Sequence, residues 1–392
     1  MASRIPRPPR TRRDQAFRRR SFSEPYRGHS PGAAGRLGRV FNEVHLQAPT
    51  GQELRAQLLP WYREVARPLP WRESRDAYGI WISETMLQQT RVETVVDYWL
   101  RFMAELPTVQ ALAAAEVEHV LSLWSGLGYY SRARRLRAAA LAIVGDHGGE
   151  FPRTRAGARA LPGVGPYTAG AVLSMAYDLP EALVDGNVAR VFSRLFALEE
   201  QPASTAGQRE LWRLAWECLP EQGAGEWNQA LMELGATVCT ARAVRCGECP
   251  LATVCRARAT DRVAELPRLA RPTPPVSVSL EIAWARRGPL VLLEKRPPQG
   301  RLAGLWEPPT REVENGAGQK SGLWPPEFRA QKTLRLGGTL ARLSHSITRH
   351  AIRAEVREAA VEGSLPTAWH WVGPGDLWRM ALTGMAKKVL RL

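Results

Sequence analysis

The sequence predicts two folded domains in series, a mainly α domain followed by an α+β domain, and three observations predict it. Between about residues 54 and 265, apolar residues recur at spacings of three and four, punctuated by Gly and Pro, and strand-like alternation is scarce. The proline-rich stretch Leu266-Pro-Arg-Leu-Ala-Arg-Pro-Thr-Pro-Pro then reads as a linker. Beyond it the pattern turns to Val276-Ser-Val-Ser-Leu-Glu-Ile and Leu290-Val-Leu-Leu-Glu, short runs of β type. A length of 392 residues suits two domains plus a tail, and 14 Trp within an apolar fraction of 44% supply real cores. No run approaches about eighteen uninterrupted apolar residues, so no membrane span or membrane partner is expected. The boundaries read as a leader over 1–50, a helical domain over 51–265, a linker over 266–275 and a second domain over 276–392.

The leader holds many Arg and Pro, almost no acid and little periodicity, and is expected to be disordered. A nucleic-acid-binding arm, an organelle-targeting peptide and an overlong gene start are its three readings, although its Pro content spoils an amphipathic helix. The formal net charge of +16 and the pI near 10.4 exceed anything a fold requires. Such an imbalance costs self-repulsion, and polyanion binding is its usual compensation.

In the helical domain the apolar spacing is carried by Ile80, Met86 and Leu87, then Val95, Val96, Trp99 and Leu100, then Leu121 and Trp124, then Leu136, Ala140, Ile143 and Val144. Glu84 interrupts the largely apolar Trp81-Ile-Ser-Glu-Thr-Met-Leu-Gln-Gln-Thr, either as a surface stripe or as a partly buried acid of raised pKa. In Leu161-Pro-Gly-Val-Gly-Pro-Tyr-Thr-Ala-Gly, Gly163 and Gly165 permit a tight turn and Pro166 suits the first turn of a following helix. Exposed N–H groups at such a helix start cradle a phosphate without reading sequence; a plain turn between two helices is the alternative. Asp185, in Val184-Asp-Gly-Asn-Val-Ala-Arg-Val, stands where a helix cap is expected.

Four of the five cysteines, Cys239, Cys246, Cys249 and Cys255, fall in one short loop, separated by six, two and five residues. That distribution fits a bound metal in a reducing compartment better than disulfide staples. Zinc is one candidate, but the spacing is not the paired CxxC of a zinc ribbon, and four thiolates in so compact a loop suit a [4Fe–4S] cube. Arg242, Arg245, Arg256 and Arg258 surround the loop and would face a phosphate backbone.

These signals, in this order, resemble the helix-hairpin-helix iron–sulfur DNA glycosylases. The matching stretches are Leu69-Pro-Trp-Arg, Ser83-Glu-Thr-Met-Leu-Gln-Gln-Thr, Gly126-Leu-Gly-Tyr-Tyr-Ser-Arg-Ala, the glycine hairpin, Asp185-Gly-Asn and the cysteine loop. Together they resemble the adenine-specific (MutY-type) branch from about residue 54 to the C-terminus. In the endonuclease III branch a lysine nucleophile stands where this chain has Tyr167, and the glutamate at position 84 is missing. The resemblance therefore implies a monofunctional enzyme, a [4Fe–4S] cluster on the four cysteines, and duplex DNA with adenine opposite 8-oxoguanine or guanine as substrate.

By that resemblance Glu84 protonates the departing adenine, Asp185 stabilises an oxocarbenium-like sugar, and Tyr167 and Asn187 assist at the sugar. Trp71, Arg72 and Leu87 would line a pocket for the flipped base, while Gln89 and Tyr129 would wedge the duplex. The second domain resembles a Nudix module through Leu293-Glu-Lys-Arg-Pro and Gly304-Leu-Trp-Glu-Pro-Pro, without the acidic box that holds Mg²⁺ in hydrolases. The family reads the lesion with a Phe-Ser-His loop. Here it is Leu343-Ser344-His345, which loses an aromatic surface. A monomer is expected, cytoplasmic and nucleoid-associated if bacterial, nuclear or mitochondrial if eukaryotic.

Overall fold

The computed structural model describes residues 48–392 except 272, 316, 317, 319 and 330, so the leader expected over 1–50 lies almost wholly outside the described residues. Twelve helices cover the first domain. Helices α1 (Gly51–Val65), α2 (Ala77–Met86) and α3 (Val92–Glu105) lead into α4 (Val109–Ala114), α5 (Val117–Leu123) and α6 (Ser131–Asp146). After them come α7 (Arg155–Ala160), α8 (Pro166–Tyr177), α9 (Gly186–Leu195), α10 (Thr205–Glu217), α11 (Ala224–Thr237) and α12 (Arg256–Ala259). Side-chain oxygens start many of them. Thr50 forms a capping box with Glu53, and Asp76, Thr108, Thr154 and Ser204 accept from first-turn N–H groups.

Helices α2, α8 and α11 form the centre. In α2 every residue from Tyr78 to Met86 is buried, and in α8 every residue from Thr168 to Ala176. A helix apolar on all sides belongs inside a domain. The hydroxyls of Ser83, Thr85 and Ser174 are satisfied by carbonyls of their own helices. Gly225 lets α11 close on α8, since a Cβ there would lie 2.4 Å from the Ser174 carbonyl oxygen. Gly235 does the same for the start of α9: a Cβ would meet the Asn187 Cβ at 2.6 Å. These close approaches set the positions of the groups described below.

The second domain begins at β1 (Val276–Trp284). One sheet has the order β5-β1-β7-β6, with β1 parallel to β7 (His350–Val361) and antiparallel to β5 (Thr310–Val313), and β6 (Leu334–Ile347) at the edge. The other contains β2 (Arg286–Arg287), β3 (Leu290–Lys295) and β4 (Trp306–Glu307), with β8 (Trp369–Val372) also paired to β3. Short helices α13 (Pro374–Leu377) and α14 (Gly384–Val389) close the chain. The domains touch directly: Leu305 and Ala381 join the helical core, and the Leu382 carbonyl accepts from Tyr130 at 2.9 Å and from Ser125 at 3.2 Å. Lys387 returns a bond to the Ser125 carbonyl at 2.5 Å. Among the described residues no helix is long and apolar enough to cross a membrane.

Candidate active site

A pocket of about 890 Å³ opens between the ends of α2, α8, α9 and α11, and Glu84, Asp185, Tyr167, Asn187, Trp71, Arg72, Leu87 and Gln89 all line it. Glu84 sits in the last turn of the buried helix α2 and is only 2% exposed, so it is no surface stripe. Burial pushes its carboxyl up to about 7. The Tyr167 hydroxyl, which donates to Glu84 Oε2, and the Arg72 charge pull it down, while the Asp185 charge pushes it up. The outcome is an acid about half protonated at neutral pH, the state a general acid needs.

Asp185 is both a helix cap and a pocket-lining carboxylate. It caps α9, accepting from Val188 N at 2.7 Å, and its second oxygen accepts from Asn187 Nδ2 at 2.9 Å inside the pocket. Burial raises its pKa, and the hydrogen bonds from Val188 and Asn187 oppose the rise. Arg190 extends the chain of contacts. Its Nη2 donates to Asn187 Oδ1 at 2.8 Å and its Nε to the Cys239 carbonyl at 2.7 Å. The cysteine loop is thereby tied to the carboxylate through one guanidinium.

Sequence reading missed the rest of the pocket wall. Glu233 is fully buried on α11 and pairs with Arg67 at 2.5 Å and Arg72 at 2.8 Å. Burial alone would push its carboxyl up, but the two guanidinium groups hold it below the usual range. Gln229, one turn earlier, shares the pocket face and accepts from Tyr62 at 3.3 Å. The available signal was spacing: Gln229 and Glu233 stand i, i+4, on one face of the same helix.

The hairpin between α7 and α8 places Gly163 at φ +81°, in the left-handed region that favours glycine. Gly165 has an extended backbone, and a Cβ there would meet nothing within 4 Å, so neither backbone nor packing requires glycine and the turn faces open space. Helix α8 starts with Pro166 and has no side-chain cap, leaving its first-turn N–H groups for an anion.

All four loop cysteines line a second, small cavity, with the buried Arg194 donating to Cys239 Sγ at 3.3 Å. Among the described residues no group of three or more His, Cys, Asp or Glu could hold a single metal ion. The four thiols line that one cavity, and a soft sulfur donor set of this kind suits an iron–sulfur cluster. Burial raises the Cys249 thiol to about 12 and lifts Cys255 as well.

Ser344 and His345 lie in strand β6, paired with Arg353 and Ile352 of β7, and not in the loop the sequence suggested. The long β6–β7 ladder extends past them to Ile347. Strand alternation turns Ser344 to solvent and the half-buried His345 to the other face, against Gly384 of α14. Burial and the nearby Lys388 lower the His345 pKa.

A family model described as the HhH-GPD superfamily base excision DNA repair protein matches residues 82–217, and a NUDIX domain model matches residues 282–392. Adenine DNA glycosylase of Mus musculus is 36% identical over 86% of this chain and 77% of its own length. The Homo sapiens protein of that name is 35% identical over 92% of this chain and 80% of its own. The chain belongs to the adenine DNA glycosylase family. A solved structure of a thermostable thymine-DNA glycosylase aligns with a TM-score of 0.50 and 27% identity, covering 54% of this chain and 97% of that one. Membership in the adenine DNA glycosylase family makes this protein a DNA glycosylase, a hydrolase of N-glycosidic bonds, with the helix-hairpin-helix and Nudix-like domains the sequence predicted.

Proposed function

We propose that this glycosylase removes adenine mispaired with 8-oxoguanine or guanine in duplex DNA, without efficient strand cleavage. The observation that carries the proposal is the pair of buried carboxyls, Glu84 and Asp185, lining one pocket, with burial raising the pKa of Glu84. Adenine leaves poorly as an anion, and inside a stacked duplex its base and glycosidic carbon cannot both be enclosed by one set of protein groups, so the nucleotide must rotate out into the pocket. Glu84 gives its proton to the base as the glycosidic bond lengthens. Asp185, oriented by Val188 N and Asn187, stabilises the positive charge growing on the sugar. Glu84, now ionised, accepts a proton from the attacking water, which closes the cycle. Tyr167 occupies the place of a lyase lysine, so no amine is present there to form a Schiff base.

Cys239, Cys246, Cys249 and Cys255 would hold a [4Fe–4S] cluster, supported by their common cavity and by the Arg194 charge beside Cys239. Held there, such a cluster would cross-link the loop between α11 and α12. Ser344 and His345 would read the base opposite adenine, supported by the contact of their domain with the Ser125–Tyr130 turn.

The purified protein is incubated with duplexes carrying adenine opposite 8-oxoguanine, guanine or thymine, followed by alkali. Adenine release opposite 8-oxoguanine and guanine is expected, and release from none of the three refutes the proposal. Scission without alkali would indicate a lyase instead. Glu84→Gln should keep duplex affinity while excision falls by about 10²–10⁴-fold, and retained activity would mean that another group is the acid.

A further inference from the structure

Arg132 carries a positive charge into the interior and forms no ion pair with any Asp or Glu of the described residues. It is 8% exposed, and burial holds its pKa down to about 10. A charge buried without a counter-charge is costly unless hydrogen bonds answer it. Here backbone carbonyls do so at the two terminal nitrogens, while the buried Nε has no partner among the described residues. Nη1 donates to the carbonyls of Thr85 at 2.7 Å, Met86 at 3.0 Å and Gln88 at 2.6 Å. Nη2 donates to the carbonyls of Leu127 at 3.2 Å and Gly128 at 3.3 Å, and to Thr90 Oγ1 at 3.4 Å. Arg132 stands in the first turn of α6, the unfavourable pole for a cation, but its head lies at the C-terminus of α2, the favourable one.

One nitrogen thus grips the turn after α2, and the other grips the turn before α6. Each turn ends in a non-glycine residue in the left-handed region, Gln89 at φ 59° and Tyr129 at φ 47°. Gln89 lines the mouth of the Glu84 pocket, and Tyr129 is 45% exposed although it is a large aromatic. The Arg132 guanidinium lies 5.5 Å from the Tyr129 ring centroid and 5.3 Å from that of the buried Trp124. Two strained tips, one polar and one aromatic, are therefore fastened to a single buried fork, and the first of them borders the Glu84 pocket.

We propose that Arg132 is a positioning residue that locks Gln89 and Tyr129 into one rigid edge, which enters the duplex and holds it open while the base occupies the pocket. The proposal rests on the base-flipping reading above. A lysine keeps the charge but has no planar fork, so it cannot grip both turns at once.

The test uses the full chain in the inert Glu84→Gln background, with 2-aminopurine beside the target adenine reporting unstacking. Arg132→Lys should reduce the fluorescence rise at saturating protein by about tenfold, equivalent to about 1.4 kcal/mol. Tyr129→Ala should lose a similar amount, and the double variant should lose no more than either alone. In the Glu84 background, Arg132→Lys should leave the pH midpoint of adenine release in place. An unchanged fluorescence rise, additive losses, or a shifted midpoint (Arg132 acting on Glu84 through α2) would each overturn the proposal. Arg132→Gln serves as a second variant; if neither variant folds, as judged by thermal melting, Arg132 is a folding residue and the proposal fails. Adenine release by the parent enzyme is the separate control, because its absence would sink the functional reading and not the fork.

Discussion

Tyr167→Phe is the perturbation whose sign the structure fixes most directly. The phenol donates to the Glu84 carboxylate and so favours its ionised form. A hydrogen bond to a charged group contributes about 1.5–3 kcal/mol. At about 1.4 kcal/mol per pKa unit, its loss should raise Glu84 from about 7 by about one to two units. Protonated Glu84 is the active form, so the alkaline limb of adenine release moves up in pH. At pH 8 roughly a tenth of the parent acid is protonated, against about half or more in Tyr167→Phe. The rate at pH 8 relative to that at pH 6 should therefore rise about fivefold, whatever happens to the plateau. Single-turnover adenine release with alkali quench, measured from pH 5 to about 9.5, reads this directly. A limb that stays in place or moves down refutes the assignment of Glu84 as the acid tuned by Tyr167.

Three further outcomes follow from the same geometry. Because the folded pKa of Glu84 lies above the ordinary 4.5, its stability contribution is present at low pH and is lost as pH rises through about 7. Between those limits the parent should lose up to about 3 kcal/mol relative to Glu84→Gln in urea melts, and parallel curves would contradict the burial. Gly235→Ala should destabilise the fold by about 1–3 kcal/mol and slow excision without changing the pH limb, since it pushes Asn187; unaltered kinetics would exclude that route. Cys249→Ser should abolish the visible absorption of a cluster and lower the melting temperature, whereas full iron content after purification would remove Cys249 from the ligand set.

The two-domain order was legible because periodicity is a local property: spacings of three and four reach the end of the helical part, and β-type runs start at Val276. Hairpin chemistry was local too, with Pro166 opening α8 where its missing N–H costs nothing. Glu84 and Asp185 were ambiguous in their own neighbourhoods. Ten residues of α2 cannot reveal that α8 and α11 enclose them, and a capping aspartate looks the same whether its second oxygen faces water or a pocket. The Leu343-Ser344-His345 stretch was expected as a loop from the family resemblance alone, whereas its strand pairing as far as Ile347 depends on β7, which lies outside the motif itself.

By itself the sequence determined the order of a helical and an α+β domain, the clustering of four cysteines and the excess of positive charge, all of which follow from residue identity and spacing. Only the tertiary structure decided that Glu84 is buried in the pocket with its pKa raised, that Glu233 holds Arg67 and Arg72 at the same wall, and that Arg132 fastens two turns whose tips are forty residues apart. Burial, field and hydrogen-bond partners are set by groups distant in the chain, and a carboxylate or guanidinium acquires its role only when packing brings those groups within a few ångströms.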